Sequence, residues 1–203
     1  MVGSAEWPLS SDGDLAIVWP VVVCGEPQAG EINGVLDYRQ VTGESLWETV
    51  TNYREFGRGI TSSDYRVNHL DDDFLDVTVS WSFVGAYPSE HERSFLFSLE
   101  TGMVQEPADL FAPEAMEALA VLCNDKLSRN IQAETAIDPP VSAQRDHVFT
   151  VEHLATAGMR SEGIVFLYPF DYPHAFKAAE PDGEPFFTWS ELEGYLLPGI
   201  ARR

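Results

Sequence analysis

Leu75-Asp76-Val77-Thr78-Val79-Ser80-Trp81-Ser82-Phe83 alternates apolar with polar side chains from end to end. Successive side chains of a strand point to opposite faces. The period of two therefore predicts a β-strand with Leu75, Val77, Val79, Trp81 and Phe83 on a buried face and Asp76, Thr78, Ser80 and Ser82 on a wet one. Phe95, Phe97 and Leu99 repeat the pattern after the polar stretch Gly85 to His91, which predicts an antiparallel hairpin closed by a long loop. On the N-terminal side Tyr65, Val67 and His69 predict another strand. Asp71-Asp72-Asp73 between the two runs reads as a solvated turn, because Asp favours turns and is depleted in strands.

Further out, Asp14 to Cys24 is β-branched and apolar, and Pro20 confines it to an edge strand or a bulge. Ile32, Val35 and Leu36, then Leu46, Val50 and Tyr53, recur at helical spacing and predict two helices, or one broken near Gly43, ended by Gly57 and Gly59. Pro113 opens the best helix, whose stripe Met116, Leu119, Ala120, Cys123, Leu127 and Ile131 is expected to pack on the sheet. Asp138, Pro139 and Pro140 break the chain, and Val148, Thr150 and Ile164 to Tyr168 supply more strand-like material. Ser190 and Glu193 fit a capping box at the start of a terminal helix. The fold class expected is α+β: an antiparallel sheet packed against two or three helices, one domain over 1–203, with 1–13 a flexible N-terminus.

The 203 residues carry 33 acidic and 12 basic side chains, a formal net charge of −21. That excludes a general nucleic-acid binder, which needs a basic face for phosphates. A hydrophobic fraction of 44% excludes a disordered acidic chain. The negative field attracts cationic partners, and it also serves solubility alone. No apolar run approaches the roughly 20 residues that span a bilayer. Met1 to Ser10 reads as no secretion signal, although a chain trimmed of its signal reads the same. Cys24 and Cys123 sit in no C-x-x-C pair, and a bridge between them requires an oxidising compartment.

Motifs of chemistry are sparse. The Gly-x-Ser-x-Gly elbow, the phosphate-binding loop and the dinucleotide fingerprint are missing, and His69, His91, His147, His153 and His174 lack metal-ligand spacing. No cofactor or metal is expected. Glu90-His91-Glu92 offers an acid, a base and an orienting carboxylate, but neighbours in sequence rarely converge on one substrate. Aromatics stand out instead: Phe166, Tyr168, Phe170, Tyr172 and Phe176, interleaved with Pro169, Pro173 and His174. Rings of this kind cap cores or form recognition surfaces, and the prolines predict an exposed loop from Pro169 to Phe176.

Several segments are similar to one family. Val84-Gly85-Ala86-Tyr87-Pro88, Phe95 to Leu99, Thr101-Gly102 and Leu110-Phe111 resemble the Gly-Gly-Ala-His-Pro loop, strand, Thr-Gly turn and Leu-Phe helix entry of the RsiV-like domain family. Gly163-Ile164 to Pro169-Phe170-Asp171 and Trp189-Ser190-Glu191-Leu192 resemble its terminal strand, loop and helix start. Val21-Val22-Val23 and Ile32-Asn33 resemble the companion segment found in RsiV and in PdaC-type peptidoglycan deacetylases. Tyr87 stands in place of the family's usual His, and Val84 in place of Gly.

The resemblance implies a non-catalytic extracytoplasmic domain, periplasmic or extracellular, of a bacterial envelope or secreted protein. It implies as partner a cationic protein such as lysozyme or a cell-wall peptidoglycan glycan, met through Tyr87 and Pro88 in one loop and Pro169, Phe170 and Tyr172 in another. The absence of a transmembrane anti-sigma segment speaks against a sigma-factor role. The alternative from a different class is an acid-base hydrolase of cell-wall polymers using Glu90, His91 and Asp171.

Overall fold

In a computed structural model, which describes residues 2–8, 15–135, 147–170, 172 and 181–200, the alternating stretch lies in the fourth strand of a five-stranded sheet. The strands are β1 (Val2–Pro8), β2 (Ala16–Val22), β3 (Gly59–Leu70), β4 (Phe74–Val84) and β5 (Pro88–Ser98), ordered as in the sequence. All neighbours pair antiparallel except β2 and β3. Those two run parallel because the helices α1 (Gln28–Val35), α2 (Tyr38–Thr42) and α3 (Leu46–Phe56) carry the chain back between them. The architecture is thus the α+β class expected, with an antiparallel-dominated sheet. Contacts divide the chain into two compact units, Met1–Val104 and Gln105–Arg203.

In the first unit Leu75, Val77, Val79, Phe95 and Phe97 join Ile17, Trp19, Ile32, Leu36, Val41 and Val50 in one core between sheet and helices. On the other face of β4, expected to be wet, Ser80 and Ser82 are partly exposed but the first two polar residues are enclosed. Asp76 and Thr78 are buried and accept hydrogen bonds from Asn68 Nδ2 at 2.8 and 2.7 Å, and the Thr78 and Ser94 hydroxyls pair at 2.8 Å. Alternation states which residues share a face, and polar residues tolerate a covered face when their hydrogen bonds are met.

Two further readings are corrected here. Residues 2–8, expected to be flexible, pair with β2 from Val2↔Val22 to Pro8↔Ala16. Pro20 lies past the short β2–β3 ladder, where no β3 partner requires its missing N–H. There the Asn33 amide substitutes for a strand: it accepts from the Val22 N–H at 2.8 Å and donates to the Val22 carbonyl at 2.9 Å. The helical region has three segments, the third opened by a Ser45/Glu48 capping box. Gly102 turns with φ +76°, and a Cβ there would stand 2.9 Å from the Gln28 carbonyl oxygen, so only glycine suits the turn.

The second unit holds α4 (Pro107–Leu110), α5 (Met116–Thr135), a 3-10 stretch Val151–Thr156, strands β6 (Ala157–Arg160), β7 (Gly163–Phe166) and β8 (Phe186–Thr188), and α6 (Trp189–Leu192). Its strands form a separate antiparallel sheet, β6-β7-β8. The apolar stripe of α5 is buried at Leu119, Ala120, Cys123 and Leu127 as expected, and the helix packs on Val151–Thr156. Lys126 ties α5 to the strands: its ammonium donates to the Phe186 carbonyl and to Glu191 Oε1 at 2.9 Å, and lies 3.8 Å from the Phe187 ring centroid. The terminal capping box is Thr188/Glu191, two residues ahead of the expected one, since the chain leaves β8 at Thr188. Val148 and Thr150 lie in no strand, and Asp138, Pro139 and Pro140 fall outside the described residues.

Cys24 is exposed, Cys123 is buried, and both are free thiols. Burial pushes the Cys123 thiol up to about 12 against the opposing pull of Lys126, which makes it inert. No helix among the described residues is long and apolar enough to cross a membrane.

Candidate functional site

The hairpin between β4 and β5 carries Tyr87 and Pro88 at its turn, and β3 pairs with β4 up to that turn, at Gly59↔Val84. The two strands pair without interruption from Phe74↔Ser98 to Val84↔Pro88, leaving only Gly85, Ala86 and Tyr87 as the turn. The long loop expected from Gly85 to His91 is therefore strand from Pro88 onward. Its polar composition hides an alternation in which Ser89, His91 and Arg93 share one face and Glu90 and Glu92 the other.

Stiffness in this hairpin comes from side-chain ladders. Trp81 and His91, directly opposite each other, stack at 5.5 Å between ring centroids with an interplanar angle of 17°. The Arg93 guanidinium lies 5.2 Å from the Phe95 ring centroid, and on the other face Arg66 pairs with Glu92 at 3.5 Å. The directly opposed Trp81–His91 pair contributes about 0.2–1 kcal/mol. At the base, Asp71 closes the β3–β4 turn by accepting from the N–H groups of Asp73 and Phe74. Partial burial raises its carboxyl, but the His69 imidazole and those two N–H groups outweigh it and hold Asp71 below its ordinary value.

At the apex Tyr87 is 77% exposed and Pro88 is exposed, with Phe83 partly open beside them. The sequence reading missed Phe83 as a surface ring because the alternation that assigns it to the core face continues beyond the end of the core. A Cβ on Gly85 would meet the Phe83 ring at 3.0 Å, so the glycine lets that ring fold against the turn.

The second predicted loop does not provide a surface of rings. Pro169 is exposed, but Phe170 and Tyr172 are buried, at 7% and 6%. Phe170 packs edge-on against Tyr168 at 5.1 Å, His147 at 4.9 Å and Tyr172 at 5.7 Å, and the cluster continues through Phe149 and Phe166 to Phe111 and Phe187. The Tyr168 N–H donates to the Gly183 carbonyl at 2.8 Å, folding the 181–185 segment onto these rings. The prolines imply a loop with exposed rings, but a small unit needs its large rings for a core. Asp171, Pro173, His174 and Phe176 lie outside the described residues.

Glu90 and His91 occupy successive positions of β5 and point to opposite faces, so the strand separates the acid and base proposed for the hydrolase alternative. Among the described residues no group of three or more His, Cys, Asp or Glu side chains is placed to hold a metal ion.

Comparison with known proteins adds the fold relationship. The chain matches no family model and none of the curated proteins. It shares its fold with two solved structures. One is a DUF3298 family member from Bacteroides fragilis, with a TM-score of 0.64 and 15% identity over 97% of this chain and 93% of that one. The other is a DUF3298 family protein from Pseudomonas aeruginosa, with a TM-score of 0.55 and 12% identity over 98% and 94%.

Proposed function

We propose that this chain is an RsiV-like, DUF3298-type binding domain that works outside the cytoplasm and recognises a cationic protein such as lysozyme. The observation that carries the reading is Tyr87, a large ring 77% exposed in the turn between two long paired strands of the sheet. Aromatic anchors presented on rigid elements are the residues that dominate protein interfaces, because they add contact area at little entropic cost. Glu90 and Glu92 stand near the apex on the same hairpin, and a net charge of −21 steers a positively charged partner toward it.

Support also comes from the shared fold with DUF3298 proteins over almost the whole chain and from the Val84 to Pro88 segment that resembles the family's loop. The geometry favours a protein partner over a glycan, since Phe170 and Tyr172 are enclosed and sugar stacking needs open ring faces. The domain acts by binding, and the opposite orientation of Glu90 and His91 supports that reading over hydrolysis.

Calorimetric titration with egg-white lysozyme tests it. Binding is expected at low ionic strength, weaker at high ionic strength, and weakened by roughly tenfold or more in Tyr87→Ala with the fold unchanged. No heat at either salt level sinks the proposal.

A further inference from the structure

The second unit carries a groove of about 430 Å³ between α5 and the segment that leads into the 3-10 stretch. One wall is Glu117, Ala120, Val121 and Asn124. Their spacing of i, i+3, i+4 and i+7 places them on a single face of α5, rotated from the stripe that enters the core. The other wall is Val148, Phe149, Thr150, Val151 and Glu152. The Asn124 amide oxygen accepts from the Phe149 N–H at 3.0 Å, and the Thr150/His153 capping box holds the second wall in shape.

The chemistry of this lining is specific. Val121 is 60% exposed and Val148 50%, an unusual state for two valines on facing walls of one groove. Glu117 and Glu152, one on each wall, are exposed, and no lining residue is cationic. An apolar floor between carboxylates fits an aliphatic stem ending in a positive charge, because lysine and arginine bury their methylenes while their heads stay at a wet rim. From Glu117 to Asn124 the wall runs about 10 Å, at about 1.5 Å per helical residue. That accommodates about three residues of extended chain at about 3.3 Å each.

We infer that this groove binds an extended peptide segment of a cationic protein, one in which lysine or arginine alternates with an apolar residue. The inference rests on the partner class proposed above and supplies a second contact for it, on the other unit of the chain.

The test uses the full chain, labelled with nitrogen-15, and the peptide acetyl-(Lys-Leu)4-amide. Amide signals of Val121, Asn124 and Val148 to Glu152 are expected to shift on titration, and the counterpart acetyl-(Glu-Leu)4-amide is expected to leave them still. The double variant Glu117→Gln/Glu152→Gln is expected to weaken the Lys-Leu peptide by about tenfold, while the charge-matched Glu26→Gln/Glu55→Gln, on exposed residues of the first unit, changes affinity less than about twofold. Unmoved groove signals, or equal weakening by both double variants, overturn the groove and mark the binding as a diffuse charge effect. Lysozyme binding that disappears in Tyr87→Ala but persists undiminished in Glu117→Gln/Glu152→Gln overturns the groove alone. Peptide binding without lysozyme binding overturns the lysozyme reading and keeps the groove.

Discussion

Replacing Gly163 by alanine is expected to break the small sheet of the second unit. A Cβ on Gly163 would stand 1.9 Å from the Phe187 carbonyl oxygen, 2.8 Å from its carbon and 2.9 Å from the Thr188 Cα. All three obstacles are backbone, so no rotamer change relieves them, and β7 and β8 must part by roughly 1 Å to admit the methyl group. The ladder that parts has only the pairs Gly163↔Thr188, Ile164↔Phe187 and Val165↔Phe186. Overpacking costs about 1–3 kcal/mol, and each ladder hydrogen bond lost adds about 1 kcal/mol, so a destabilisation on the order of 3 kcal/mol follows. Gly30→Ala is the matched control: it lies in α1, a Cβ there meets nothing within 4 Å, and the change is expected to stabilise by about 0.5–1 kcal/mol. Urea unfolding by circular dichroism gives both values. The indole signal of Trp189, the one tryptophan of the second unit, places the loss there. A Gly163→Ala protein within about 0.5 kcal/mol of the parent refutes the steric argument.

Asn33→Leu removes the amide that satisfies both backbone groups of Val22, and urea unfolding is expected to show a loss of about 2 kcal/mol; an unchanged midpoint contradicts the strand-substitute role. The Glu191 carboxyl is held down to about 2, first by the Thr188 N–H and then by Lys126. Its folded value lies below the ordinary 4.5, so its stabilisation is complete above about pH 4.5 and is lost as pH falls toward 2. Glu191→Gln is expected to flatten the stability profile in that window. Because the carboxylate is 46% exposed, added salt flattens it too. Dithionitrobenzoate is expected to titrate Cys24 at once and Cys123 only in denaturant; two fast thiols in the native protein contradict the burial of α5's inner stripe.

The fourth strand and the apolar half of the fifth were legible because burial imposes a period of two on Leu75 to Val79 and on Phe95 to Leu99, and no helix tolerates that period. The polar half of β5 was not legible as strand. Pro88 to Arg93 extends past the core, where nothing selects for apolar residues, and only pairing with β4 reveals it. The parallel β2–β3 contact was equally hidden: it is short, and its direction follows from the three helices that intervene. The buried Asp76 and Thr78 mark a further limit, since Asn68 and Ser94 reach them from neighbouring strands and a polar residue in a pattern does not announce its hydrogen-bond partners.

The candidate sites divide along the same line. Tyr87 lies in the three-residue turn, outside the ladder, and is exposed. Phe170 and Tyr172 have the same composition signal and the opposite fate, because His147 approaches both rings from elsewhere in the chain and Tyr168 packs on Phe170. The groove on α5 was half legible: Glu117, Ala120, Val121 and Asn124 show helical spacing, but Leu119, Cys123 and Leu127 dominate the pattern and draw the eye to the core. A helix with an exposed valine beside an outer-face glutamate is ordinary until a facing segment supplies Val148 and Glu152. Surface chemistry of this kind arises from two elements meeting, so its residues carry no joint signal in either element alone.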